Sequence, residues 1–397
     1  MEEMLVKFDY FYGGHAELEN VGFSGIPVDD RRESNEILSS VFDEAKSIAQ
    51  IMDSKGFDTL WLAEHHFQSE GHGCIPNIPM LCVYLSQVTE KLRFGSFFNV
   101  VPGWNPIRLA EDFAAADVMT GSRVSFGFGR GYIAREVETL GAPLNDDSAN
   151  RELFEEQVEI ILKAWNEESF SYKGKYFDIP ANTVHRGKLL EEITLVPRPL
   201  KLPVECWQPM AGGSQRGMDF MAQNGIKGVI AGGTAPGGNA EDTAIRWQET
   251  LQKSGRDVAL GDDLAIVVQI HIADSEEKAI REAEPFFQEQ LKALAPLGRF
   301  PTLTEDQIQA TYDPSLALTV GLPTLKDAVN DGSWLCGPPD DIAEKISDLL
   351  DRFPNIERIS VGAGALGIPP SVIRDDISWF GDEILPKFSS DRRGVVV

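Results

Sequence analysis

Residues 59–67 read TLWLAEHHF, a strand-like run that ends on a carboxylate and two adjacent histidines, Glu64, His65 and His66. Imidazoles change charge near neutral pH, so they can accept, hold or pass on a proton beside a reacting molecule. Strand alternation sets Trp61, Ala63 and His65 on one face, and Leu60, Leu62, Glu64 and His66 on the other. One histidine at most therefore faces along the inner side of the strand; the competing reading is a hydrogen-bonded core histidine. Glu64, His65 and His66 are also potential metal ligands. Adjacent histidines diverge on a strand, however, and no third ligand cluster accompanies them, so no metal site is expected.

Two glycine-rich stretches could hold an anion. GFGRGY at 127–132 follows a strand, but its spacing is GxGxG rather than the GxGxxG of a dinucleotide fingerprint. Its glycines leave room for a flat ligand to approach the backbone. Arg130 beside them carries a planar fork of donors suited to phosphate. The alternative is tight barrel packing with Arg130 in a salt bridge. AGGSQRG at 211–217 opens a helix, where Gly212, Gly213 and a capping Ser214 let N–H groups converge on an anion. AGGTAPGG at 231–238 competes for the same role, and VGAGALGIPP at 361–370 leaves a third option open. Phe97, Phe98 and Asn99 sit in a row on a strand. A bulge or cis peptide there would expose an apolar shelf, whereas ordinary pleating sends one ring inward and packs the other under a helix.

These residues need elements to position them. Strands are expected at 4–12, 58–63, 92–101, 124–128, 204–210, 227–230, 264–273 and 356–361. Helical periodicity follows each, ending in a closing helix over 370–388. Eight strand-then-helix units predict an α/β fold, a (β/α)8 TIM barrel, rather than a doubly wound sheet. A hairpin excursion is expected around Lys173, Gly174 and Lys175. The long loop 13–33 and the Gly- and Pro-rich insertion 295–339 are read as lids or binding loops within a single domain spanning 1–397.

The 397 residues carry a formal charge of −26, which repels phosphate backbones and anionic lipid. Nucleic acid and membrane surfaces are therefore poor partners. A small phosphorylated ligand stays compatible, because local backbone dipoles can hold one. No apolar run approaches the ~20 residues that span a bilayer. The acidic start, MEEMLVKFDYFY, does not read as a signal peptide, so a cytoplasmic location is expected. The four cysteines, Cys74, Cys82, Cys206 and Cys336, are scattered and read as reduced, packed thiols.

Taken together, LWLAEHH (60–66), NPIRLAEDFAAADVMTGSRVSFGFGRGY (105–132), VPRPLKLPVECWQPMAGGS (196–214), GPPDDIAEKI (337–346) and EILPKF (383–388) resemble the bacterial luciferase-like flavin-dependent monooxygenases. The resemblance implies a barrel that binds reduced FMN, supplied by a separate flavin reductase. With O2 the family forms a flavin C4a-hydroperoxide that oxygenates a small-molecule substrate, here expected to be apolar. It places the catalytic histidine at His65 and the phosphate ligands at Arg130, Arg151, Gly213 and Ser214. Phe97, Phe98 and Asn99 fall where the family carries a non-prolyl cis peptide under the flavin ring, although small residues are usual there. Gly129 stands where luciferases have a cysteine. A homodimer or heterodimer is implied too. Two other readings share the barrel: a deazaflavin-dependent dehydrogenase, and a flavin-binding partner subunit without its own activity.

Overall fold

In the computed structural model, residues 6–210, 213–300, 302–362 and 365–388 are described. Eight strands form the barrel: β1 (Lys7–Tyr12), β2 (Thr59–Leu62), β3 (Arg93–Ser96), β4 (Val124–Gly129), β5 (Cys206–Pro209), β6 (Lys227–Ala231), β7 (Leu264–Ile272) and β8 (Arg358–Gly362). Each pairs in parallel with its neighbour in sequence, and β8 pairs back onto β1, so the sheet closes. Strands covered on both faces are buried along their whole length, as every residue of β2, β4 and β8 is, and the polar residues among them are paired within the barrel, as Arg358 is. The (β/α)8 expectation is met.

The connecting helices begin and end where the local chemistry says they should. Ser34 caps α1 (Asn35–Lys55) by accepting from the Ile37 N–H, and Gly56 closes it at φ 85°. Asn105 caps α3 (Pro106–Thr120), which follows α2 (Ile78–Ser86). Helix α4 (Asp147–Asn166) starts well before its apolar stripe, because the Asp146 carboxylate caps the Ala149 N–H. Then come α5 (Gln215–Gln223), α6 (Asn239–Lys253), α7 (Glu276–Leu294), α8 (Pro339–Arg352) and α9 (Pro370–Trp379). The hairpin excursion is present, with Tyr172–Lys173 antiparallel to Asp178–Ile179.

Three expectations change. The closing helix does not run regularly to 388. After Trp379 it loosens into a π turn and then a 3-10 turn; in the π turn a Cβ added at Gly381 would lie 2.6 Å from Lys55 Cβ, so no side chain fits there. The stretch 295–339 is no plain loop: it folds Glu305–Tyr312, Pro314–Val320 and Leu325–Asn330 as helices. Capping boxes at Thr304/Gln307 and Thr324/Asp327 start the first and third of these. It then adds a strand, Trp334–Gly337, beside the last four residues of β7. Finally, the strand expected over 92–101 breaks after Ser96 at a cis Phe97–Phe98 peptide and resumes as Asn99–Val100 against the end of β4.

The barrel interior is aromatic above and ionic below. Trp61 stacks on Phe97 at 4.0 Å and meets Trp207 edge-on at 6.1 Å, with Val229, Ala265 and Val267 filling the rest. Gly95 permits this, since a Cβ there would lie 2.1 Å from the Trp61 ring. Beneath the rings the buried Arg358 guanidinium binds Asp9 at 3.1 Å, Asp58 at 2.6 Å and Glu205 at 3.4 Å. That plug lies at the N-terminal face, where barrels invest in stability, and leaves the opposite rim for chemistry. Among the described residues, no helix is long and apolar enough to cross a membrane.

Candidate active site

At the C-terminal rim a cavity of about 670 Å³ opens beside the end of β2. His65 lines it, together with Phe11 from β1, Gly13 after β1, Tyr132 after β4, Gln269 from β7 and Leu366 after β8. Loop 13–33 and the 295–339 insertion supply the roof, through Phe23, Pro27, Leu297 and Tyr312. Phe300 of the insertion packs elsewhere, against the cluster around Trp334 and Phe287. The roof is tied down. The buried Lys292 ammonium of α7 donates to the Gly22 and Ile26 carbonyls at 2.7 and 2.9 Å, and Glu289 accepts the Gly22 N–H at 2.9 Å. Arg31 holds the same loop through the carbonyls of Glu19 and Asn20.

The two histidines part, as the alternation requires. His65 Nδ1 stands 3.1 Å from Glu136 Oε1, while His66 Nε2 stands 2.8 Å from Glu64 Oε1. Glu136 also accepts the His66 backbone N–H at 3.0 Å and the Gln68 amide at 2.6 Å. Burial alone would push its carboxyl up, but these bonds, led by His65, hold it below the usual carboxylate range. With Glu136 ionised, His65 Nδ1 carries the proton and donates, which leaves Nε2 as the nitrogen with a lone pair to offer. Glu64 has another job. It accepts from Val100 N–H at 3.0 Å and Trp104 Nε1 at 2.8 Å, pinning the end of β2 to the chain after the cis peptide. For His66, burial opposes the charge, but the Glu64 hydrogen bond and the charges of Glu64 and Glu136 together raise the imidazole above its ordinary value. Tyr132 meets His65 edge-on at 6.1 Å, with the Arg299 guanidinium of the insertion 4.8 Å above the tyrosine ring.

Phe97 and Phe98 are both inward, not divided between core and helix: their rings stack at 5.0 Å within the interior aromatic group. This also corrects the reading of GFGRGY. A Cβ on Gly127 would meet Phe98 at 2.7 Å and the Ser96 carbonyl at 2.0 Å, and one on Gly129 would meet Phe98 at 2.9 Å. The space those glycines free is taken by the protein's own phenylalanine. Asn99 is buried and donates to Ser96 Oγ at 2.7 Å and the Gly127 carbonyl at 3.2 Å, while its Oδ1 has no hydrogen-bond partner among the described residues.

The anion-binding candidates gather on a different arc, outside the lining of the cavity. Arg130 donates to Asn150 Oδ1 at 2.9 Å and Asp147 Oδ1 at 2.6 Å. Arg151 of α4 reaches the first turn of α5, where a Cβ on Gly217 would lie 3.9 Å from its Nη1. Ser214 caps that turn. Arg216 is held by Glu155 at 2.6 Å, and Arg246 donates to the Gly213 carbonyl at 2.5 Å, with Gly213 at φ 54°. Burial and the adjacent Arg130 depress the Arg151 guanidinium, and it has no hydrogen bond or ion pair within 4 Å among the described residues. A crowded, unpaired cation beside a helix N-terminus fits a phosphate. Gly212, Ala363 and Gly364 lie outside the described residues. The rival loop after β6 is already occupied: the Gly233 N–H donates to Ser333 Oγ at 3.0 Å and the Thr234 hydroxyl to the Gly332 carbonyl at 2.7 Å.

Sequence reasoning missed Glu136, Arg216 and Arg246. Arg216 lies within AGGSQRG and could have been flagged by the helix start it stands in, whereas Arg246 comes from the next helix and carried no such signal. Nothing in the spacing marked Glu136. The cysteines are free as expected, and burial pushes Cys74 up to about 11 and Cys82 to about 12.

Known proteins share this fold. The oxygenating constituent of 3,6-diketocamphane monooxygenase from Pseudomonas putida, in complex with FMN, superposes with a TM-score of 0.67 at 18% identity, covering 97% of this chain and 99% of that one. An F420-dependent secondary alcohol dehydrogenase in complex with an F420–acetone adduct superposes at 0.65 with 15% identity, covering 98% and 100%. In sequence, the oxygenase component of the flavin-dependent trigonelline monooxygenase of Acinetobacter baylyi is 26% identical over 197 residues, 49% of this chain and 50% of that protein. The chain spans about half the length of the curated relatives it matches. A sequence profile of the luciferase-like monooxygenases matches residues 23–353, and the chain belongs to that family.

Proposed function

We propose that this protein is the oxygenating component of a flavin-dependent monooxygenase. It uses reduced FMN and dioxygen on a small, largely apolar organic molecule. The observation that carries the reading is His65, held through Nδ1 by the buried Glu136 at 3.1 Å on the wall of a roofed cavity. Bound reduced flavin would supply the electrons that activate dioxygen. Arg130, Arg151 and Ser214 would hold its phosphate, with Arg216 and Arg246 adding positive charge. Asn99 Oδ1 is a free buried acceptor beside the Phe97 and Phe98 shelf. His65 would accept or return a proton at Nε2 while Glu136 keeps the ring oriented. The strapped loop 13–33 and the insertion would keep water from the reacting atoms.

The printed name of the Acinetobacter relative, an oxygenase component, favours delivery of reduced flavin by a separate reductase. A dimeric assembly and a cytoplasmic setting belong to the same proposal. The arginine group by itself suits any phosphorylated flavin, so deazaflavin is the second reading to test. Titration with FMN, reduced FMN and deazaflavin, followed by exposure to isotope-labelled dioxygen with candidate substrates, separates them. Tight reduced-FMN binding with label in the product is the expected result. Anaerobic substrate oxidation with deazaflavin and indifference to FMN would overturn it in favour of a dehydrogenase. FMN binding without turnover on any substrate would leave a partner subunit.

A further inference from the structure

The cavity contains more polar machinery than proton handling at His65 needs. His15, at the end of β1, is 6% exposed, and its Nε2 has no hydrogen-bond partner among the described residues. Gln269, on β7, likewise has an unpartnered, inaccessible Oε1. Both residues line the cavity. A buried donor or acceptor left unmade is costly, so these two, with the likewise unpartnered His72 Nε2 in the same lining, mark a place where a ligand's hydrogen bonds belong.

Inside the same cavity, away from its mouth, the charges are matched. The cations lining it among the described residues are Lys292 and Arg135. Lys292 sits 2.7 Å from Glu289, and Arg135 binds Glu70 through two nitrogens. His65 faces Glu136, and His72 Nε2 lies 3.6 Å from Glu289 Oε1. Asp29 and Asp30 are exposed at the mouth. An anionic substrate would find no unpaired cation inside, and a cationic one no unpaired carboxylate; burying either without a counter-charge is disfavoured.

Resting on the monooxygenase reading, we infer that the substrate is an uncharged, mainly apolar ring compound carrying a hydroxyl or N–H group. Gln269 Oε1 would accept that group's hydrogen bond, with His15 Nε2 as the further hydrogen-bonding site on the lining of the same cavity. Phe11, Tyr132 and Leu297 would enclose the ring. His15 is suited to this because burial, with His72 nearby, lowers its imidazole to about 4, keeping it neutral at physiological pH.

The test is calorimetric titration of the full chain loaded with FMN, using four probes of one shape: 4-ethylphenol, 4-ethylanisole, 4-ethylbenzoate and 4-ethylbenzylammonium. The phenol should bind at least tenfold more tightly than each of the others. In Gln269→Leu and in His15→Phe its advantage over the anisole should disappear while FMN affinity holds. Equal binding of phenol and anisole, tighter binding of either ion, or no binding of any probe overturns the inference, and the wild-type series decides even if a variant fails to fold. Should FMN itself fail to bind, the monooxygenase reading falls, and the series on the unloaded chain still reads the cavity's preference.

Discussion

Gly73 lies flat on the face of His65: a Cβ at position 73 would stand 2.5 Å from the imidazole Cδ2 and 2.7 Å from its Cβ. No side chain fits there unless the histidine moves. The ring is thus held from two sides, by the Glu136 carboxylate at one edge and by a bare backbone against its face.

Gly73→Ala should therefore act on His65 without touching the arginine group. We expect product formation to fall about 100-fold, the lower end of what a positioned acid–base group contributes. FMN affinity should stay within a few-fold, and steady-state kinetics beside a flavin titration measures both. Retained turnover with a displaced ring would remove His65 from the chemistry.

Glu136→Gln keeps the shape but loses the charge. The folded carboxyl is held below its ordinary value of 4.5, so its bonds contribute stability above that pH, which is lost as pH falls through the lower folded value. The melting temperature of the parent should drop more steeply below about pH 4.5 than that of the variant. Parallel curves would mean that Glu136 is not ionised against His65.

Arg151→Ala should weaken FMN binding by about 10- to 100-fold, the loss of one charge-assisted contact to phosphate of roughly 1.5–3 kcal/mol. The fold should be unaffected, since no ion pair or hydrogen bond of Arg151 is broken. Arg130→Ala should weaken FMN binding as well, but it also severs the bonds to Asn150 and Asp147 and should lower the melting temperature. Unchanged FMN affinity in both variants would put the phosphate elsewhere.

Arg358→Met should destabilise the barrel by about 3–5 kcal/mol, because Asp9, Asp58 and Glu205 lose their shared counter-charge and buried Asp9, already raised to about 7, must take up a proton. Chemical denaturation measures it. Activity of the fraction still folded should survive, since the plug lies at the face opposite the cavity.

Local signals made the barrel legible. Each strand is a short apolar run and each helix carries its own cap, as Ser34, Asn105 and Ser214 do, so the order of elements follows from neighbours in the chain. The capping boxes at Thr304 and Thr324 were equally local and were passed over because glycine and proline dominate the insertion around them. The strand Trp334–Gly337 is different: four residues become a strand because the end of β7 offers an unpaired edge.

His65 was readable as a candidate from the sequence alone, because two imidazoles at the end of an apolar strand are a local pattern. Its partner was not. Glu136 is 71 residues away and meets His65 only when β2 and β4 are placed in the same barrel. The glycines of GFGRGY looked like space for a ligand, and only packing reveals that Phe98 fills it. Likewise Arg130, Arg151, Arg216 and Arg246 come from four separate segments, and barrel closure alone brings them together. Residue type and short-range periodicity set which groups can do chemistry; contacts between distant strands decide which of them face one another.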